Sequence, residues 1–173
     1  MLDHLLLGDD DLVSLLLRFS RDDSALGAGP LGLEEAAVTE GDARAERARL
    51  RTHGYRRGHS RAWRGPEGDV ALVTLYELRD APAAHRYLLD GHDALVAQRV
   101  VVAPVRGLRT AWTATATDPD PSGGPPFVGH VVAFTHGAFH ALVVVGGVTD
   151  RRRPSEARRV ALAQHVRLVM LTT

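Results

Sequence analysis

Apolar positions dominate residues 127–145 and fall into two runs with one break. Residues 127–136 read as a strand, Gly137-Ala138 as a reversal, and residues 139–145 as the returning strand. Runs rich in valine and aromatic residues around a short turn predict a β-hairpin. A helical stretch follows over 155–171, with Ala157, Val160, Ala161, Leu168 and Leu171 facing inward. A second hairpin is predicted upstream, with strands at 55–64 and 70–78 around the turn Gly65-Pro66-Glu67-Gly68-Asp69. Asp80 then caps a helix opened by Ala81-Pro82, where proline removes no helical hydrogen bond. The inner face of that helix carries Ala84, Tyr87, Leu88, Gly91 and Leu95. After a short apolar run at 100–105 and a turn at Gly107, a strand is predicted over 109–117. Trp112, Ala114 and Ala116 alternate there with three threonines, a half-buried pattern. Residues 118–126, dense in proline and glycine, read as a mobile loop.

The first fifty residues look helical. Leu12, Leu15, Leu16 and Phe19 recur at helical spacing, and an aspartate of the 9–11 cluster can cap that helix. Residues 20–33 read as an irregular loop. A second helix begins near Glu34 or Asp42 and ends at His53, with Gly54 as its left-handed stop. Thr39 and Asp42 have the spacing of a capping box, and the arginines and glutamates predict a mostly solvated helix. The element order is α, α, β, β, α, β, β, β, β, α. It predicts one α+β domain over 1–173, with a helical region at 1–53 and a sheet plus terminal helix at 54–173. The antiparallel sheet has about six strands, flanked by helices at both ends and one inserted helix. No βαβ rhythm and no glycine-rich phosphate motif occurs, which argues against a doubly wound nucleotide fold.

Composition narrows the function classes. The chain has 173 residues, 21 acidic and 21 basic, and every basic residue is arginine. The chain-wide lack of lysine reads as a GC-rich genome, so local arginine clusters are the informative ones. Zero formal net charge argues against a nucleic-acid partner. The absence of cysteine excludes disulfides, thiolate catalysis and cysteine metal sites. No run reaches the ~20 apolar residues of a membrane span. The N-terminus lacks a basic leading region, and three aspartates interrupt its apolar stretch, so it does not read as a signal peptide. The expected location is the cytoplasm, or the cell envelope if a leader has been removed.

Four groups of residues could carry chemistry. Tyr55, Arg57, His59, Arg61 and Trp63 fall on one face of the first predicted strand. Arginine forks and a titratable ring between aromatics could line a cleft for an anionic ligand, or form a solvated face with rings packed on arginine stems. His130 and His136 share a face with Val132 and Phe134, and His140 lies past the turn. Such histidines read as buried and hydrogen-bonded, as a general base, or as metal ligands that would need a third partner such as His59. Arg151-Arg152-Arg153 precedes the last helix, where it could pair with acids or with a phosphate. Asp9-Asp10-Asp11 lacks the spacing of a calcium loop and reads as a cap. No nucleophile elbow is present, and few carboxylates fall on predicted strands, Glu77 being the main exception.

Residues 7–12, 54–63, Tyr76-Glu77-Leu78 with Ala83-Ala84 and Tyr87-Leu88, and residues 133–137 with the valine strand after them form a loose pattern. It resembles one found in uncharacterised actinobacterial envelope proteins, many of them lipoproteins. That resemblance implies a PsbP-like α+β domain that binds or assembles, and it supplies no catalytic residues. The leading expectation is a non-catalytic binding or assembly module for a small apolar or anionic molecule or a protein partner, with Tyr55, Arg57, His59, Arg61 and Trp63 as its site. The competing one is a small cofactor-free enzyme, cyclase or isomerase in type, with His59, His130 or His136 as base. A third is an interaction domain that forms a homodimer through an exposed sheet face. No metal and no cofactor is assigned.

Overall fold

The computed structural model describes residues 2–16, 19–25, 27–38, 42–118, 125–148 and 152–172. Two short edge strands, β1 (Ser20–Arg21) and β2 (Gly29–Leu31), lie where an irregular loop was expected. The remaining strands are β3 (Arg57–Arg64), β4 (Val70–Glu77), β5 (Val102–Pro104), β6 (Ala111–Asp118), β7 (Phe127–His136) and β8 (Phe139–Gly147). The helices are α1 (Asp9–Leu15), α2 (Leu33–Val38), α3 (Ala43–Thr52), α4 (Ala81–Ala97) and α5 (Pro154–Thr172). The fold is α+β, and among the described residues the sheet holds eight strands where about six were expected. The order is β1-β3-β4-β8-β7-β6-β5, with β2 also on β3, and every pairing is antiparallel. Both predicted hairpins form, β3–β4 and β7–β8, and β4–β8 joins them at the centre.

Side-chain parity divides the sheet into two faces. One carries His59, Arg61, Trp63, Ala71, Val73, Leu75, Ala141, Val143, Val145, Val132 and Phe134. It packs against α5 and residues 2–16, which contribute Leu2, Leu5, Leu6, Leu7, Leu12 and Leu16 to one core cluster. The other face carries Tyr76, His140, Leu142, Ala133, Trp112 and Ala114, and is covered by α2, α3 and α4. The sheet is therefore covered on both sides. The reason lies in β4 and β8, whose near-continuous apolar runs leave neither face for water.

Local details follow the sequence where caps decide them. The Asp80 carboxylate accepts from Ala83 N–H at 2.7 Å, and Asp42 accepts from Arg44 and Ala45 N–H, both at 3.1 Å. Thr39, the other half of the expected box, and most of the 118–126 loop lie outside the described residues. Gly54 adopts the left-handed conformation, φ 68°. At α1 the N-cap is Gly8, whose N–H donates to Asp11 Oδ2 at 2.8 Å. The helix near 42–53 is mostly solvated, with Glu46 and Leu50 as its buried residues. One expectation is corrected. Leu171 faces out at 50 % exposure, so the buried face of α5 ends at Leu168, three residues earlier than expected.

Residues 2–7 carry no helix long enough to hold themselves down, and polar side chains fix them. Gln164, fully buried on α5, accepts from Leu7 N–H at 3.0 Å and donates to Leu5 C=O at 2.7 Å. Gln164→Leu keeps the volume and leaves one donor and one acceptor unpaired. It should lower stability by about 2–4 kcal/mol in urea denaturation and expose residues 1–16 to protease. A loss under ~0.5 kcal/mol, the range of a neutral surface change, would show that this bridge does not hold the segment.

Candidate functional site

The five residues of the β3 stripe do not form one open surface. Tyr55 precedes β3 and packs on the far side, its hydroxyl donating to Leu31 C=O at 2.6 Å and its ring edge-on to Tyr76. Arg57 is exposed at the strand start and pairs with Glu77 across the hairpin at 2.6 Å. His59, Arg61 and Trp63 do share a face, and residues 2–9 cover them. The Asp3 carboxylate takes Arg61 at 2.7 Å and His59 at 3.1 Å, while Arg61 also donates to Leu7 C=O at 2.5 Å. Trp63 Nε1–H donates to Asp9 Oδ1 at 2.9 Å. The hydrogen bond from Arg61 holds the Asp3 carboxyl below its ordinary range. Burial lowers the His59 pKa despite the nearby Asp3.

The histidines are also dispersed. Across the strand order, β3 and β7 lie three spacings apart, about 14 Å, so His59 does not approach His130 or His136. His130 is buried and satisfied on both ring nitrogens. Its Nε2–H donates to Arg152 C=O at 3.0 Å, since a carbonyl can only accept, and Nδ1 then accepts from the Thr115 hydroxyl at 3.0 Å. His136 meets His165 of α5 edge-on at 5.5 Å, and His165 has its pKa lowered by burial and then by His136. His140 points to the opposite face, because the hairpin pairs Thr135 with His140 and His136 with Phe139. Arg151 lies outside the described residues; Arg152 is mostly buried, paired with Asp69 and with Glu156 at 3.1 Å.

What the sequence did not single out is a cleft on that opposite face. A cavity of about 430 Å³ opens between α3, α4 and the floor formed by β6, β7 and β8. Trp112, Ala114, Val131, Leu142 and Val144 make the floor, and Leu95 and Val100 line the α4 side. Trp112 Nε1–H donates to Leu88 C=O at 3.1 Å, which ties α4 to the floor. At one end stands a polar group. The Tyr87 hydroxyl donates to Glu46, and Arg49 pairs with Glu46 Oε2 at 2.8 Å. The Arg49 guanidinium lies 4.4 Å above the Tyr87 ring. His140 sits beneath, stacked on Tyr76 at 6.1 Å and edge-on to Tyr87 at 4.8 Å. It is 4 % exposed, and among the described residues its Nδ1 has no hydrogen-bond partner. Burial, aided by the Arg49 charge, pushes its pKa down to about 3. The ring is neutral at physiological pH.

Some of this was within reach of the sequence. Tyr87, Gly91 and Leu95 were placed on the inner face of their helix, and a glycine on an inner face leaves room. The burial of Glu46 had no such sign, because an Arg- and Glu-rich helix reads as solvated.

No protein-family model matches this chain, and no curated protein matches it. Among solved structures, the extracellular domain of PknH from Mycobacterium tuberculosis is similar, with a TM-score of 0.60 at 10% identity over 92% of each chain. At that identity the likeness is one of fold.

The sign of the His140 effect is fixed by its shift. Unfolded, the ring protonates near its ordinary value of 6.5; folded, it resists until about 3. Between those values the unfolded state binds more protons, so stability should fall as pH drops from about 6.5 toward 3 and hold above 6.5. His140→Phe should flatten that limb relative to wild type, while His59 and His165, shifted the same way, act equally in both proteins. Parallel stability curves over this window would contradict the buried neutral state.

Proposed function

We propose that this chain is a non-catalytic binding module whose ligand site is the cleft between α3, α4 and the floor of β6, β7 and β8. One observation carries the proposal: a single cavity combines an apolar floor, a buried imidazole nitrogen without a partner, and a glycine in the middle of the helix that walls it. Small-molecule sites are concave and mostly apolar, with a few placed polar groups, at volumes of roughly 300–1,000 Å³.

Gly91 is the telling residue. Glycine inside a helix costs about 0.5–1 kcal/mol relative to alanine, and α4 holds it at ordinary helical angles. A Cβ there would lie 3.4 Å from Arg49 Nη1 and 3.6 Å from Trp112 Cζ2, which is ordinary contact. Backbone conformation does not call for glycine here. What glycine keeps clear is the space between α4 and the floor.

The β3 stripe supports placing the ligand on this face, because Asp3, Asp9 and backbone carbonyls of the same chain already engage Arg61, His59 and Trp63. The enzymatic alternative is weaker. A general base works best with a pKa near the working pH, and burial drives His140 far below it. Glu46, the carboxylate beside it, is already bound to Tyr87 and Arg49.

Gly91→Ala should stabilise the protein by about 0.5–1 kcal/mol and still bind Nile red, an uncharged apolar dye, with saturable fluorescence. Gly91→Leu should remain folded by thermal melt and lose saturable dye binding more than tenfold. Equal binding by wild type and Gly91→Leu would move the site elsewhere.

A further inference from the structure

The same cleft also limits what can enter it, and this step rests on the cleft being the site. Its polarity is graded along the strands. On β8 the floor runs from His140 through Leu142 to Val144, four residues and about 13 Å from a polar end to an apolar one. Trp112 pairs through Ala133 to Leu142, and Ala114 through Val131 to Val144, so the apolar character extends across three strands. At the polar end the buried His140 Nδ1 lacks a hydrogen-bond partner among the described residues. By choice of tautomer a neutral imidazole gives a donor or an acceptor there.

Charge around the cleft disfavours an anion. Among the described residues the lining holds three carboxylates, Asp42, Glu46 and Asp90, against one guanidinium, Arg49. That guanidinium is bound to Glu46, so a second carboxylate would meet like charge in a partly dry site. We infer that the ligand is an elongated apolar molecule ending in a single uncharged hydrogen-bonding group, a hydroxyl or carbonyl, which pairs with His140 while the tail lies along Trp112, Leu142 and Val144. The low pKa of His140 supports this independently, since the ring would not protonate to meet an anion.

The test uses 1-decanol and decanoate as probes of equal chain length, titrated by calorimetry at neutral pH into wild type, His140→Phe, His140→Gln and Gly91→Leu. Wild type should bind decanol at least tenfold more tightly than decanoate, and Gly91→Leu should bind neither. His140→Phe keeps the ring and its stacking on Tyr76 but removes the nitrogen, and should weaken decanol about five- to tenfold without affecting decanoate. His140→Gln restores a polar group and should recover part of the decanol affinity; it also stands in if the phenylalanine variant does not fold. If decanol still binds Gly91→Leu, the cleft is not the site and the functional proposal falls with this one. If both probes bind in the cleft with equal affinity, or both His140 variants bind decanol like wild type, the cleft stands and the inferred ligand class is wrong.

Discussion

Both faces of the central strands are apolar, and the chain must therefore cover its sheet twice. β4 and β8 lie in the middle of the order, and Ala71, Val73, Leu75, Ala141, Val143 and Val145 on one face are matched by Tyr76, Leu142 and Val144 on the other. Leaving either face to water would forfeit roughly 25 cal/mol for each Å² of apolar surface. The two covers are made differently. On one side α5 and residues 2–16 pack closely and are fastened by Gln164, Arg61 and Trp63. On the other, α4 meets the floor through Leu88, Trp112 and Leu95, and a cleft stays open beside Gly91. The cleft follows from this unequal covering.

The polar groups divide along the same line. Those under the N-terminal segment are paired within the chain: Asp3 with Arg61 and His59, Asp9 with Trp63, Gln164 with two backbone groups. Buried polar atoms in folded proteins are nearly always satisfied in this way. His140 departs from the rule, and it does so at the wall of a cavity. Asp69 Oδ1 also lacks a partner among the described residues, but it does not line the cleft. An unmet hydrogen-bonding atom weakens the core unless something meets it, which is why its position beside an open apolar floor points to a ligand.

The hairpins were legible because their signals are local: alternation within each strand, and Gly65 to Asp69 or Gly137-Ala138 between them. Asp80 and Gly54 were legible for the same reason, one as a cap and one as a left-handed stop. The edge strands β1 and β2 were not, since two or three residues such as Gly29-Pro30-Leu31 become a strand only by pairing with β3. The stripe from Arg57 to Trp63 was placed with the right period. Its cover comes from Asp3 and Asp9, some fifty residues away, and no local pattern announces that contact. Tyr55 left the stripe because β3 begins two residues later. The cleft needed Glu46, Tyr87, Trp112 and His140 brought together from four elements, so only the fold could reveal it.

The two tryptophans provide the most direct check. Trp112 lies in the cleft floor, and Trp63 lies beneath the N-terminal segment on the opposite face. In a ¹H–¹⁵N spectrum of uniformly labelled protein titrated with 1-decanol, the Trp112 indole signal should shift and saturate while the Trp63 signal stays in place. A Trp112 signal unmoved at saturating decanol, or equal shifts of both indoles, would contradict a ligand site between α4 and the sheet.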